Sequence, residues 1–349
     1  MADPPSPPAE NEKALHRELI VIGASAGGVE ALGNVFSGLP RELPAAVLVV
    51  LHVLPTGTSV LPMILERAGH MPAASARHGE KLERGRVYVA PPDHHLLVWE
   101  GRIQLSRGPH ENGHRPAIDP LFRSAARYAG RQVIGVVLSG TLDDGTAGMR
   151  LIKECHGATI VQDPADSMYT GMPQSVIDHG LADYVLEAGE IADCLCALLD
   201  TPLVTAPEPS IAAAPAVGGL TLDIADNRSA RKGTATGLTC PECGGTLWAH
   251  EEGDLLRFRC HVGHAYSLES MQIEQGRALE SALWSALRTL EEQIDLFQRI
   301  SRRSPNTSTS RRFEQRVADA SHDADTIRHT IVQLGRTAVH DEGGEEPAA

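Results

Sequence analysis

No apolar run in this sequence reaches the roughly 18 residues that a membrane-spanning helix needs, so membrane insertion is not expected. The opening stretch, MADPPSPPAENEK, lacks the apolar core of a signal peptide and reads as a polar, Pro-rich tail. No basic stripe stands out. The formal net charge is −14, which makes nucleic acid an unexpected partner and leaves basic protein surfaces open. Cysteine is sparse: there are 6 in 349 residues. Three of them, Cys240, Cys243 and Cys260, sit at metal-ligand spacing. That argues against a disulfide framework and for a reducing compartment, by default the cytoplasm.

What is present is ordinary for a soluble globular chain: 42% hydrophobic and 22% charged residues, with length for about two domains. Apolar strand-like runs occur at 19–23, 46–53, 86–90, 95–99, 133–138 and 158–162, with a weaker one at 182–186. Helical patterns at 28–37, 59–68, 118–129, 145–155 and 189–199 lie between several of them. Continuous apolar strands alternating with helices predict an α/β fold, a mainly parallel doubly wound sheet covered on both faces. Residues 86–107 read as a β-hairpin added antiparallel to that sheet. The expected organisation is a tail at 1–17, a catalytic-type domain at 18–200 and a Pro/Ala/Gly linker at 201–236. A Cys/His module follows at 237–266, then a helical hairpin at 267–338 and a tail at 339–349.

The stretch IVIGASAGGVEAL (20–32) runs from an apolar strand through small residues into a helix. A dinucleotide-binding loop needs G-x-G-x-x-G, but the middle glycine is Ser25 and the second strand ends in His52 instead of an acid. No Gly-Lys-Ser/Thr follows for a Walker A loop. GASAG is, however, G-x-S-x-G on a strand-to-helix turn, which presents a serine at the carboxyl edge of a parallel sheet. A serine needs a base, and His52 ends the neighbouring strand. An orienting carboxylate is offered by VIGVVLSGTLDDGTAGMR (133–150), where Asp143 and Asp144 lie on the turn after another apolar strand. Taken singly, each has a plainer reading: an N-cap for Ser25, a structural hydrogen bonder for His52, a turn residue for the aspartates. The order Ser, His, Asp departs from the α/β-hydrolase order.

IGAS-x-GG, the strand-end His, SG-x-x-x-DG-x-x-G, APPDHHL (90–96), RPAIDPLFRSAA (115–126) and QDPADSMYTGMP (162–173) together resemble the catalytic domain of the chemotaxis protein-glutamate methylesterases, the CheB family. The resemblance implies a parallel α/β sheet with a β-hairpin. It also implies hydrolysis of glutamate methyl esters on a methylated chemoreceptor-like protein, with glutamine deamidation a possible companion activity. It assigns Ser25 as nucleophile, His52 as base and Asp144, not Asp143, as the orienting carboxylate. It points to N–H groups near Ala26 and at Thr141 for the oxyanion, and to Arg115 for either substrate or structure. The family's usual T-G-M-G-x-D-G is here Ser139-Gly140-Thr141-Leu142-Asp143-Asp144-Gly145, so Leu142 stands where a glycine is usual and Ala26 where threonine is often found. The catalytic strand starts near residue 18, so phosphorylation control by a preceding receiver domain is not expected.

Cys240-x2-Cys243 and Cys260-His261-x2-His264 have zinc-ribbon spacing, with His264 the expected fourth ligand. Four protein ligands make such a zinc structural, and no cofactor is expected for catalysis. A rival metal centre at His94, His95, His110 and His114 lacks carboxylates at suitable spacing. The helices after 267 carry Leu268, Leu279, Leu283, Leu287, Leu290 and Trp284 at amphipathic spacing, which suits either internal packing or docking of a signalling partner or a second copy. Two functions follow: a methylesterase, or a non-enzymatic signalling adaptor that uses the same fold and the zinc module.

Overall fold

The computed structural model describes residues 15–57, 59–203 and 233–341. Most of the expected tails and of the expected linker lie outside these residues; 339–341, expected in the C-terminal tail, belong to the last helix. The chain divides into two compact units, Met1–Met271 and Gln272–Ala349.

The first unit begins with β1 (Leu19–Ala24), α1 (Gly28–Gly38), β2 (Ala46–Leu51), α2 (Leu61–Gly69), β3 (Ala73–Ser75) and β4 (Val87–Val89). A hairpin of β5 (His95–Trp99) and β6 (Arg102–Ser106) follows, then α3 (Ile118–Ala129), β7 (Val133–Val137) and α4 (Thr146–Glu154). The alternation closes with β8 (Ala158–Gln162), α5 (Gly171–Asp178), β9 (Tyr184–Leu186) and α6 (Ile191–Asp200). The sheet order is β3-β4-β2-β1-β7-β8-β9, and its neighbours pair in parallel. β1, β2, β7 and β8 are buried at every residue, the condition their unbroken apolar runs require. On β1, Ile20 and Ile22 join the core under α1, α2 and α6, while Leu19 and Val21 join the core under α3, α4 and α5.

The hairpin does not extend the main sheet; β5 and β6 form a separate two-stranded sheet. Its apolar side chains Leu96, Val98 and Ile103 sink into the α3-side core, and the Val98 N–H donates to Ser124 Oγ of α3 at 3.0 Å. It is therefore a lid over a helical layer. β3 and α5 have no counterpart in the sequence reading. β3 is three small or polar residues at the sheet edge, and α5 lies in a segment whose polar, turn-forming residues hide its periodicity.

The Cys/His module supplies an antiparallel sheet, β10 (Thr234–Thr239), β11 (Thr246–Glu252), β12 (Leu255–Cys260) and β13 (Ala265–Ser267). It starts three residues before the expected 237. Its core is small: Cys240, Leu247, Phe258, Cys260, Tyr266 and Met271. Its free edge meets the catalytic sheet's loops, where the Asn112 N–H donates to Ala265 O at 2.8 Å. α7 (Leu268–Arg303) begins in the first unit.

The second unit holds the rest of α7 and α8 (Thr307–Asp341), broken at Pro305. Phe297 and Phe313 meet with ring centroids 5.7 Å apart, and Arg328 bonds Glu291 at 2.7 Å. Leu287, Ala320 and Ala324 are buried, while Leu279 and Trp284 are exposed. No helix among the described residues is long and apolar enough to cross a membrane.

Candidate active site

The strand order reverses between β1 and β7, so the crevice at their carboxyl ends is the natural place for a ligand. Ser25 follows β1 directly. The N-cap of α1 is Gly27, with no side-chain cap, so Ser25 is free of the capping role that was its plainer reading. Gly27 has φ 72°, and a Cβ there would lie 2.6 Å from Ser139 Oγ, so the turn admits only glycine. Ser139 staples the turn: its carbonyl accepts from Ser25 N–H at 2.9 Å and its hydroxyl donates to Ala26 O at 2.8 Å.

His52, just past β2, brings its Nδ1 to 3.1 Å from Ser25 Oγ and its Nε2 to 2.8 Å from Asp144 Oδ2. With Nε2–H donated to the carboxylate, the Nδ1 lone pair faces the serine hydroxyl. The two ring nitrogens thus exchange the roles they play in serine proteases. Asp144 also accepts the Ile118 N–H at 2.7 Å on Oδ2, and on Oδ1 the Asp119 N–H at 3.2 Å and Asn112 Nδ2 at 2.9 Å. Burial pushes this carboxyl up, but the bonds from His52 and Ile118 and the positive field of His52 and His114 hold it below the usual carboxylate range. Its neighbour Asp143 points elsewhere, accepting from Ser267 Oγ at 2.7 Å, and burial pushes it up to about 6.

Thr141 lies on the loop after β7. A Cβ on Gly140 would come within 2.9 Å of Ser25 Cβ, so that loop lies directly against the serine. Leu142 adopts φ 63°, the left-handed conformation natural to glycine. The loop thus keeps a glycine-type shape with a branched side chain in it. Arg115 is engaged elsewhere: Nε donates to Asp93 Oδ1 at 2.8 Å and Nη1 to Gly108 O at 2.7 Å.

Sequence reasoning missed Asn112 and the roles of Asp119 and of His114, which it named only for a rival metal centre. The His114 ring stacks on His52 at 3.8 Å, with planes 9° apart. Asn112 supports Asp144. Asp119 is buried behind it and accepts from Gly145 N–H at 3.1 Å and Gly148 N–H at 2.7 Å. The block HENGHRPAID carries all three, but it offered no regular spacing to read. The four-histidine rival centre does not assemble: His94 bonds Pro92 O, His95 bonds Pro109 O, and His110 bonds Glu242.

In the C-terminal module, Cys240, Cys243, Cys260 and His264 bring ligand atoms within 4.8 Å of one another. Cys243 Sγ and Cys260 Sγ are 3.6 Å apart, and His264 Nδ1 lies 3.6 and 3.5 Å from Cys240 Sγ and Cys260 Sγ. A zinc tetrahedron with bonds of about 2.0–2.3 Å has edges of roughly 3.5–3.8 Å, so the donor set fits zinc. The second ring nitrogen of His264, Nε2, meets Glu242 Oε2 at 3.2 Å, where an outer carboxylate would orient a ligating imidazole. His261 instead lies against Gly245 and is exposed.

Residues 20–195 match the family described as CheB methylesterase. A protein-glutamate methylesterase/protein-glutamine glutaminase 2 of Anaeromyxobacter dehalogenans is 42% identical over 183 residues, 52% of this chain and 54% of its own length. A protein of the same description from Pseudomonas aeruginosa is 38% identical over 199 residues, 56% of this chain and 57% of its own length. The CheB methylesterase catalytic domain of Thermotoga maritima superposes with TM-score 0.51 at 36% identity, covering 53% of this chain and 100% of that one. The chain thus spans a little over half the length of these curated relatives.

Proposed function

Because the chain belongs to the CheB methylesterase family, we propose that it hydrolyses glutamate methyl esters on a methylated chemoreceptor-like protein, with Ser25, His52 and Asp144 as catalytic residues. The observation that carries this reading is the hydrogen-bonded series Ser25–His52–Asp144 at the carboxyl edge of the sheet. His52 Nδ1 takes the Ser25 proton as Oγ attacks the ester carbonyl, and Asp144 stabilises the imidazolium. The N–H groups of Ala26 and Thr141 hold the oxyanion, each donor worth roughly 3–4 kcal/mol. The C–OCH3 bond then breaks, His52 protonates the leaving oxygen, and methanol departs. Water, deprotonated by His52, attacks the acyl-Ser25 and releases the glutamate carboxylate. The same steps on a glutamine amide release ammonia, a second activity of this reading. Arg115, tied to Asp93 and Gly108, holds the hairpin loops and stays outside the chemistry.

The Cys240, Cys243, Cys260 and His264 site holds a structural zinc, closed by four protein ligands; bound there, the metal fixes the module's fold. The exposed Leu279 and Trp284 support docking of a signalling partner or a second copy on the helical hairpin. The acidic chain works in the cytoplasm, where a receptor's methylated helices are reached. The test is methanol release from receptor membranes carrying tritiated methyl groups. Wild type should release it and Ser25→Ala should not. Equal release by both would sink the assignment of Ser25 as nucleophile, and no release by either would favour the adaptor.

A further inference from the structure

Asp144 has two oxygens, and different parts of the chain support them. Oδ2 faces His52. Oδ1 is held by the Asp119 N–H and by the amide of Asn112. Asn112 sits at φ 52° on the loop before α3. Its carbonyl bonds His114 Nδ1 at 2.7 Å and its Nδ2 also donates to Asp119 Oδ2 at 3.3 Å, but the partners of its backbone N–H and of its side-chain oxygen come from beyond residue 264. Its backbone N–H donates to Ala265 O at 2.8 Å. Its side-chain oxygen accepts from Ser267 N–H at 3.1 Å and Ser270 Oγ at 3.2 Å. An amide has a donor end and an acceptor end, so pinning the oxygen on Ser267 and Ser270 forces the NH2 toward Asp144.

The same module grips the other neighbours of Asp144. Arg257 of β12 bonds Asp119 Oδ2 and Glu111 Oε1, both at 2.6 Å, in a buried cluster with Arg123. Ser267 Oγ holds Asp143. Along the chain, these gripping residues bracket two of the metal donors: Arg257 precedes Cys260, and Ala265 and Ser267 follow His264. Glu242, behind His264, bonds His110 at 2.7 Å, two residues from Asn112. The module's core cluster has six buried residues, two of them metal-site cysteines, so apolar burial contributes little and a metal there would carry much of its stability.

We propose that Asn112 is a positioning residue for Asp144 and that the metal-bound C-terminal module holds it in place, so that metal at Cys240, Cys243, Cys260 and His264 sets the rate of ester cleavage at Ser25. This rests on the catalytic and metal assignments above. The metal touches no substrate; it acts through Asn112.

The test is a cycle on the full chain, with zinc bound or stripped by a thiol-reactive mercurial and a chelator, in wild type and in Asn112→Ala. Stripping should lower kcat for methanol release about tenfold in wild type with KM unchanged, as expected when a catalytic group is misplaced by a fraction of an ångström. Asn112→Ala should lose a similar factor while keeping its zinc, and stripping it should then cost less than about twofold, because coupled residues are not additive. Ser270→Ala, a smaller change that leaves the Asn112 amide intact, should lose about threefold. Equal losses on stripping both proteins, or none in wild type, would overturn the proposal. Hydrogen exchange gives a readout independent of activity. Stripping should speed exchange at the Asn112, Ile118 and Asp119 amides, which bond Ala265 and Asp144. Unchanged protection there overturns the proposal even if no ester is cleaved. Release that persists in Ser25→Ala would condemn the catalytic assignment instead, and a zinc content near zero in the purified chain the metal assignment.

Discussion

The catalytic sheet and the Cys/His module solve the same problem by opposite means. The sheet is held by two continuous apolar layers, with β1, β2, β7 and β8 buried throughout. It can therefore carry polar chemistry at its edge without losing its fold. The module has a small core, and it gathers Cys240, Cys243, Cys260 and His264 into a cluster that could hold a metal. Its polar residues turn outward to grip the sheet's edge. Apolar burial supports a site from beneath, whereas the proposed metal-bound module braces it from the side.

The largest way to break this contrast is at the sheet edge. Asp144→Asn should lower kcat by about 10⁴-fold with the fold intact, since an amide holds the imidazole in the wrong tautomer. Stopped assays beside circular dichroism check it. Next in size is the grip between the regions. Arg257→Met leaves Glu111 and Asp119 buried with Arg123 as their remaining ion-pair partner among the described residues, and should cost about 3–5 kcal/mol in denaturant unfolding. A loss confined to the module's own transition would show that the two regions are energetically separate.

The aspartate pair sharpens the contrast by pH. The folded state holds the Asp143 proton up to about 6, above the ordinary 3.8. Its contribution to stability is therefore full below 3.8 and lost as pH rises through about 6. Asp143→Asn should be more stable than wild type at neutral pH, by about 1–2 kcal/mol once solvent screening is allowed for. Thermal melts at several pH values should show the gap closing on acidification. The smallest effect lies at Leu142, whose left-handed backbone costs energy that glycine would not. Leu142→Gly should raise stability by about 0.5–1 kcal/mol, read as a higher midpoint in urea.

Much of the site was legible in the sequence because its chemistry sits at strand ends. Ser25, His52 and Asp144 each follow an apolar run, and a parallel sheet brings such ends together. The Cys/His cluster was legible for a second reason, since its spacing is local. Asn112, Arg257 and Ser267 were not. Arg257 meets Asp119 across 138 residues and Ser267 meets Asn112 across 155, and each alone is an ordinary polar residue on a loop or strand. The hairpin was seen but misplaced: alternation reveals a strand pair, not whether it joins a sheet edge or covers a helix. β3 was invisible because Ala73–Ser75 has neither length nor β-branched residues.

The most direct test of the account is to trap the acyl-enzyme. Wild-type chain, acid-quenched during turnover of a peptide bearing a glutamate γ-methyl ester, would be digested and mapped by mass spectrometry. A glutamyl adduct on the peptide containing Ser25, absent in Ser25→Ala, is the predicted result. An adduct on another residue, or turnover that persists in the variant, would contradict it.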